Sequence, residues 1–527
     1  MTLRGNALWR IFENHFVFII MPFVRLFVVF VLALLALPVL LPFNAIGQAK
    51  TPIDFQADNM RFDRNLAPDA RRLIGNVQFM HQGTSMTSDS AHLFAAQNRL
   101  IAFENIFIQV NDTVTLRGNR LVYNGNTRIA ELTGNVILTD PQMTLTTNHL
   151  IYDLNRNTAN FTGGGTIVNA SNTLSSVWGF YFVDEKIFLF RDNVHLKNPD
   201  YEMHSDTLRY NTLTEVAYFY GPTTITSEEN TIRCKNGWYD TRNEIAHFGR
   251  GATLEGEDQT ITGDSLFYNR NLGFGRAVGN IIINDSLRNS TITGDLAKHF
   301  ENEGLSIVTG RALLTVVSEG DSLFLHADTL RSINLEDQEQ QFVFAYNRAR
   351  FFRQDLQGLA DSIIYNFQDS TIYLFHNPIL WSDVHQLTAR RMEILTSDEA
   401  IVRAYLYEAA FIASQEGDVG FNQIKGRNIV GHFSDNKIRR IDVQGNAETL
   451  YYVEEEDGTI VGLNKALSHR ILIGIEEAEI SEIRFLDSPE ASLIPMEELS
   501  DEDRFLLHFE WHEALRPNSK QDVFHVN

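Results

Sequence analysis

His508 and His512 stand four residues apart, the spacing of two metal ligands on one helix face. Their order, His-Phe-Glu-Trp-His, lacks the glutamate that follows the first histidine in zinc hydrolases, and the sequence places no third ligand. Gly273-Phe274-Gly275-Arg276-Ala277-Val278-Gly279 superficially has the form of a dinucleotide loop. It joins two predicted strands, however, where such a loop must open a helix, so it reads as a turn. No Gly-x-Ser-x-Gly elbow or phosphate-binding loop occurs, and none of the sixteen histidines stands in a triad context. The remaining candidates are carboxylates: Asp89, Asp206, Asp264, Asp295, Asp328 and Asp361 recur at matching places along the chain. A catalytic pair is needed once, so a carboxylate copied many times reads as a turn former. The chain is therefore expected not to be an enzyme, with no catalytic residue, no metal ligand and no cofactor.

The elements behind this recurrence are set by six tyrosines 29 residues apart: Tyr123, Tyr152, Tyr181, Tyr210, Tyr239 and Tyr268. A strict period of this length marks one supersecondary unit copied end to end. The copies read Gly118-Asn119-Arg120-Leu121-Val122-Tyr123-Asn124, Thr147-Asn148-His149-Leu150-Ile151-Tyr152-Asp153 and Gly263-Asp264-Ser265-Leu266-Phe267-Tyr268-Asn269. Leu and Tyr two apart share one side of a strand. The Asn or Asp that follows Tyr in five of the six copies suits a turn. About twelve residues on comes a second block, as in Gly134-Asn135-Val136-Ile137-Leu138 and Gly279-Asn280-Ile281-Ile282-Ile283, which reads as a turn leading into a strand. The unit is strand, turn, strand, turn. No sustained 3.6-residue apolar period appears between residue 51 and about 495. The expected fold is all-β, an elongated array of antiparallel strands, with about a dozen units whose spacing widens downstream. A first array spans 51–300 and further repeats span 301–495, with a bend expected near 300–345.

Upstream of the repeats, Met21-Pro22-Phe23-Val24-Arg25 leads into the apolar run 26–41 and then Asn44-Ala45-Ile46-Gly47-Gln48-Ala49. This reads as a signal peptide over 1–47, with Met21 a better start than Met1 and cleavage after Gly47 or Ala49. A retained anchor is the alternative, since 16–43 is long enough to span a bilayer. Either way the repeats face a compartment beyond the inner membrane. Cys234 is the sole cysteine, so no intrachain disulfide forms. A net charge of −23 argues against nucleic acid as a partner. The acidic tail, 496–527, has a roughly helical apolar pattern through Met496, Leu499, Phe505, Leu506, Phe509, Trp511 and Leu515. It is expected to be helical, either packed against the last repeat or serving to dock another protein.

Recurring Ala/Gly-Asp-x-Leu-x-Tyr-Asn followed by Gly-Asn-Val-x-Leu, after a signal peptide, resembles the OstA/LptA family of periplasmic lipopolysaccharide-transport proteins, in particular its long Bacteroidetes-type OstA-like members. Thr51-Pro52-Ile53-Asp54-Phe55-Gln56-Ala57-Asp58 is similar to that family's opening strand, and Gly75-Asn76-Val77-Gln78-Phe79 to its first Gly-Asn-Val block. The resemblance covers most of 51–480, with more repeats than shuttle members carry. It implies a twisted β-jellyroll, V-shaped between two sheets, with an apolar groove that passes lipopolysaccharide or a related glycolipid towards the outer membrane. It further implies partners of the same jellyroll type, joined by edge-strand addition, and an outer-membrane translocon. Leu121, Tyr123, Val136, Leu138, Leu150, Tyr152, Leu208, Tyr210, Leu266, Tyr268 and Ile281 are then the groove-lining candidates. For the tyrosines a stacked core ladder is the competing expectation. For the chain as a whole it is a structural or adhesive surface β-solenoid without a lipid ligand.

Overall fold

The structure is a computed structural model that describes residues 51–525, apart from 66–68, 111–112, 170, 319–320, 336–339, 398–399, 456–457 and 477–478. The expected signal segment lies outside the described residues. Thirty-four strands, β1 (Asp54–Gln56) to β34 (Glu490–Pro495), make up the described chain, with a few 3-10 turns and no α-helix. The fold is all-β, and its pairing is antiparallel and sequential: β3 (Ala70–His81) pairs with β4 (Thr84–Phe94), and so on along the chain.

Each long strand is folded at its middle. In β6 (Val114–Asn124), Val114, Leu116 and Gly118 alternate inward, but the next buried positions are Leu121 and Tyr123, out of phase with them. The pairing of β6 with β7 (Ile129–Asp140) jumps at the same point, between Arg117 and Arg120. Opposite that jump, Gly134 and Asn135 have φ of 77° and 49°. Two consecutive left-handed residues bend the strand and reset its alternation, so both halves turn their apolar sides to one interior. Gly and Asn are the residues that take this conformation at least cost. The corner recurs at Gly75-Asn76, Gly279-Asn280, Gly445-Asn446 and, with other residues, on most alternate strands. The Gly-Asn pair is thus a corner inside a strand and not, as its sequence suggests, the turn before one.

The corners divide the ladder into two facing layers. Sheet I contains halves such as 114–118 and 136–140, and sheet II contains halves such as 121–124 and 129–132. The recurring carboxylates secure the fold line. Asp58, Asp89 and Asp264 accept from Asn76, Asn105 and Asn280 at 2.9, 2.7 and 3.1 Å. Asp295 and Asp328 accept from Arg311 and Arg348 at 3.0 and 2.6 Å. Asp361 lies 3.5 Å from His376, and Asp206 packs against the corner glycine Gly221. Where an Asn or Asp follows the tyrosine it closes the hairpin, as where Asp153 Oδ1 accepts from the Asn155 and Arg156 amides.

The tail departs from expectation. Residues 496–525 form short 3-10 turns joined by extended chain, with no α-helix. They run back over the outer face of sheet I because that face offers better partners than a helix would. Three buried glutamines, at the same register position in successive repeats, receive them. Gln423 donates to the Arg504 carbonyl and accepts from the Leu506 amide, both at 2.8 Å. Gln386 does the same for Glu510 and His512 at 2.8 and 2.7 Å, and Gln357 accepts from Arg516 Nε at 2.8 Å. Leu506, Phe509 and Trp511 pack with Phe411, Leu450 and Tyr452 in a second apolar cluster under this strap. Without a helix, the spacing of His508 and His512 loses its meaning as a ligand pair.

Candidate functional site: an interior that opens midway

The interior between the sheets is one continuous apolar cluster running from Ile53 to Ile475. Its filling changes along the chain. Over the first repeats the two layers meet: Leu121, Tyr123, Val136, Leu138, Leu150 and Tyr152 are all at most 1% exposed. From about residue 197 to 401 the layers part around a cavity of about 1950 Å³. That is roughly twice the upper end of pockets made for one small ligand. Its walls include Ile232, Phe248, Leu254, Ile261, Ile283 and Ile292.

Residue size contributes to the opening from β17 (Phe274–Asp285) onward. The inward slots of sheet II are filled by Leu121 and Tyr123, Ala130 and Leu132, Leu150 and Tyr152, Ala159 and Phe161, then Phe188 and Phe190. On β17 the same slots hold Gly275 and Ala277. On β18 (Ser290–Phe300) they hold Ala297 and His299, and the following strand supplies Ser306 and Val308. Small side chains on adjacent strands leave unfilled volume that neighbours on a rigid ladder do not close.

The lips of the two sheets follow the same division. In the closed region polar groups bridge them. Tyr123 Oη lies 2.7 Å from His81 Nδ1, and Tyr181 donates to the buried Asp140 carboxylate at 2.6 Å, with Lys186 Nζ 3.4 Å from that carboxylate. Burial, reinforced by the Asp140 carboxylate, pushes the Tyr181 phenol far above its ordinary value, so it stays a donor. The Tyr201 and Tyr239 rings meet edge to face, 6.1 Å apart, at the start of the cavity. Beyond them Tyr268 turns to its own lip and donates to Glu301 at 2.7 Å. Its phenol, pushed up to about 12 by burial and by Glu301, also remains protonated. The last tyrosine of the series therefore leaves the mouth unlatched.

Of the eleven groove candidates, Leu266 and Tyr268 are in the cavity wall. The other nine are not. Leu121, Tyr123, Val136, Leu138, Leu150, Tyr152 and Leu208 lie in the filled interior, Ile281 is buried at a corner, and Tyr210 is half-buried against the core. The first strict repeats are filled by their own side chains, whereas the cavity begins in the last strict repeats and continues through the region where the motif decays. Sequence reasoning missed Ile232, Ile261, Ile283, Ala277 and Ala297 because it followed the recurring Leu and Tyr positions. The shrinkage from Leu266-Phe267-Tyr268 to Ala297-Lys298-His299 was the available signal.

The family model described as OstA-like protein matches residues 52–206 and 203–264. Among solved structures, the chain is similar to LptH of Pseudomonas aeruginosa, the LptA homologous periplasmic component of that organism's lipopolysaccharide transport device. The identity is 14%, over 22% of this chain and 80% of that one, with a TM-score of 0.20. No curated protein matches the sequence.

Proposed function

Since the chain belongs to the OstA-like protein family through its repeats at 52–206 and 203–264, we propose that it binds the acyl chains of lipopolysaccharide or a related glycolipid in the cavity between its sheets. It carries or bridges that lipid through the periplasm towards the outer membrane. The observation that supports this most is the widening of an apolar interior to about 1950 Å³ between residues 197 and 401. Exposing one twelve-carbon chain to water costs on the order of 10 kcal/mol, at ~0.8 kcal/mol per CH₂. An apolar trough removes most of that cost while sugars and phosphates remain in water at the unlatched mouth.

On this reading residues 1–47 deliver the chain across the inner membrane, 51–300 and 301–495 form two successive arrays, and the tail stiffens the second. Among the described residues, β1 and β2 (Asn59–Phe62) pair only with β3, and β33 (Glu479–Leu486) and β34 pair only with β32 (Ile460–Glu476). Both ends thus offer unpaired strands to which jellyroll partners or an outer-membrane translocon can add. The role is binding, not catalysis.

Photocrosslinkers placed at Ile283 and Tyr239, and separately at Leu121 and Tyr123, test the reading in living cells. Lipopolysaccharide adducts are expected at the first pair and not at the second. Absence of adducts at Ile283 and Tyr239 would leave a scaffold without a lipid ligand.

A further inference from the structure

On the outer face of sheet I, where the interior begins to open, His195 of β11 (Ile187–Lys197) stands directly opposite His204 of β12 (Tyr201–Asn211). Their rings stack, with centroids 4.3 Å apart and planes 5° from parallel. Glu202, two residues before His204 and hence on the same face, brings a carboxylate oxygen to 3.9 Å from His195 Nε2. One donor atom from each of the three lies within 4.8 Å of the others. His195 Nε2 is shielded from solvent and has no hydrogen-bond partner. A buried ring nitrogen without a partner is costly unless something occupies the space in front of it.

We propose that His195, Glu202 and His204 bind a divalent transition-metal ion of the Zn²⁺ class. Two imidazoles and one carboxylate are a donor set suited to such ions. Bonds of about 2.0–2.2 Å set tetrahedral donors about 3.3 Å apart. His204 is exposed and the other two are half-exposed, so side-chain rotation alone closes the difference. Lys197 Nζ, 3.1 Å from Glu202, is the ion's competitor for that carboxylate. The fourth position opens to solvent and takes a water. A bound ion clasps β11 to β12 at the level where Tyr201 meets Tyr239, and so stiffens the boundary between filled and open interior.

The test is calorimetric titration of ZnCl₂ into the full chain after chelator treatment, repeated with Co²⁺ and read by visible absorption. One equivalent is expected to bind, with a rise in melting temperature. His195→Ala and His204→Ala should each weaken binding roughly tenfold or more, since each removes one of three ligands. Lys197→Ala should strengthen it by releasing Glu202, and His508→Ala with His512→Ala should leave it unchanged. Circular dichroism in chelator confirms that the variants keep their strands. No bound equivalent, or binding that survives the His195→Ala/His204→Ala double variant, overturns the proposal.

Discussion

The first repeats and the middle repeats use the same corner, the same hairpin closure and the same strand length, yet one stretch is solid and the other hollow. In both, an aspartate or asparagine on one strand sits against the left-handed corner of the next. What differs is the bulk of two inward slots per strand and the reach of one tyrosine. Tyr123 and Tyr181 bridge the lips, whereas Tyr268 bonds within its own lip. The backbone architecture and the use made of its interior are separately adjustable, because strand pairing and corner geometry do not depend on what fills the centre.

The sharpest way to break this contrast is to fill the hollow. Ala297→Trp with Ala277→Phe is expected to abolish lipid capture, read by copurifying lipid, while the melting temperature holds or rises, since the space exists already. Next come matched truncations. Leu150→Ala, in the solid stretch, should cost about 2–5 kcal/mol in denaturant unfolding. Ile261→Ala, beside existing space, should cost about 1 kcal/mol. Equal losses would mean that the middle interior is as tightly packed as the first.

Removing a latch should have an intermediate effect. Tyr181→Phe strips a hydrogen bond from the buried Asp140 carboxylate and is expected to cost about 1.5–3 kcal/mol. The strap gives a similar handle: Gln423→Ala leaves the Arg504 carbonyl and Leu506 amide unpaired, at about 1–3 kcal/mol, seen as faster proteolysis of the tail.

The smallest effect is on pH. Burial lowers the folded-state values of His326, which packs on Phe524, and of His385, on the strand that carries Gln386. Both are held neutral, so the unfolded chain binds more protons below the ordinary 6.5. Their contribution is complete above that pH and is lost as pH falls through it towards the lowered values. Tail protection should therefore weaken between pH 7.5 and 5, and His385→Gln should flatten the change.

Much of the fold was legible in particular residues. The 29-residue tyrosine period gave the unit, and Asp153 and Asn211 closed hairpins as their side-chain chemistry suggests. The corner was misread as a turn because Gly-Asn has the same signature in both settings; only pairing across the bend tells them apart. The tail was misread because its apolar spacing fits a helix, while the three glutamines that hold it extended lie 80 to 160 residues away in sequence. The groove was expected along all the regular repeats, whereas the cavity begins only in the last of them, at Tyr239, Leu266 and Tyr268, and continues through the irregular ones, because the first regular slots are filled.

Local chemistry therefore determined what local chemistry can: strands from alternation, hairpins from Asx residues, corners from residues tolerant of positive φ. Tertiary structure alone decided which tyrosines span the lips, where facing side chains fall short of one another, and which face the tail covers. Those outcomes depend on distances between residues on opposite sheets, and no single strand's sequence encodes the gap to its counterpart.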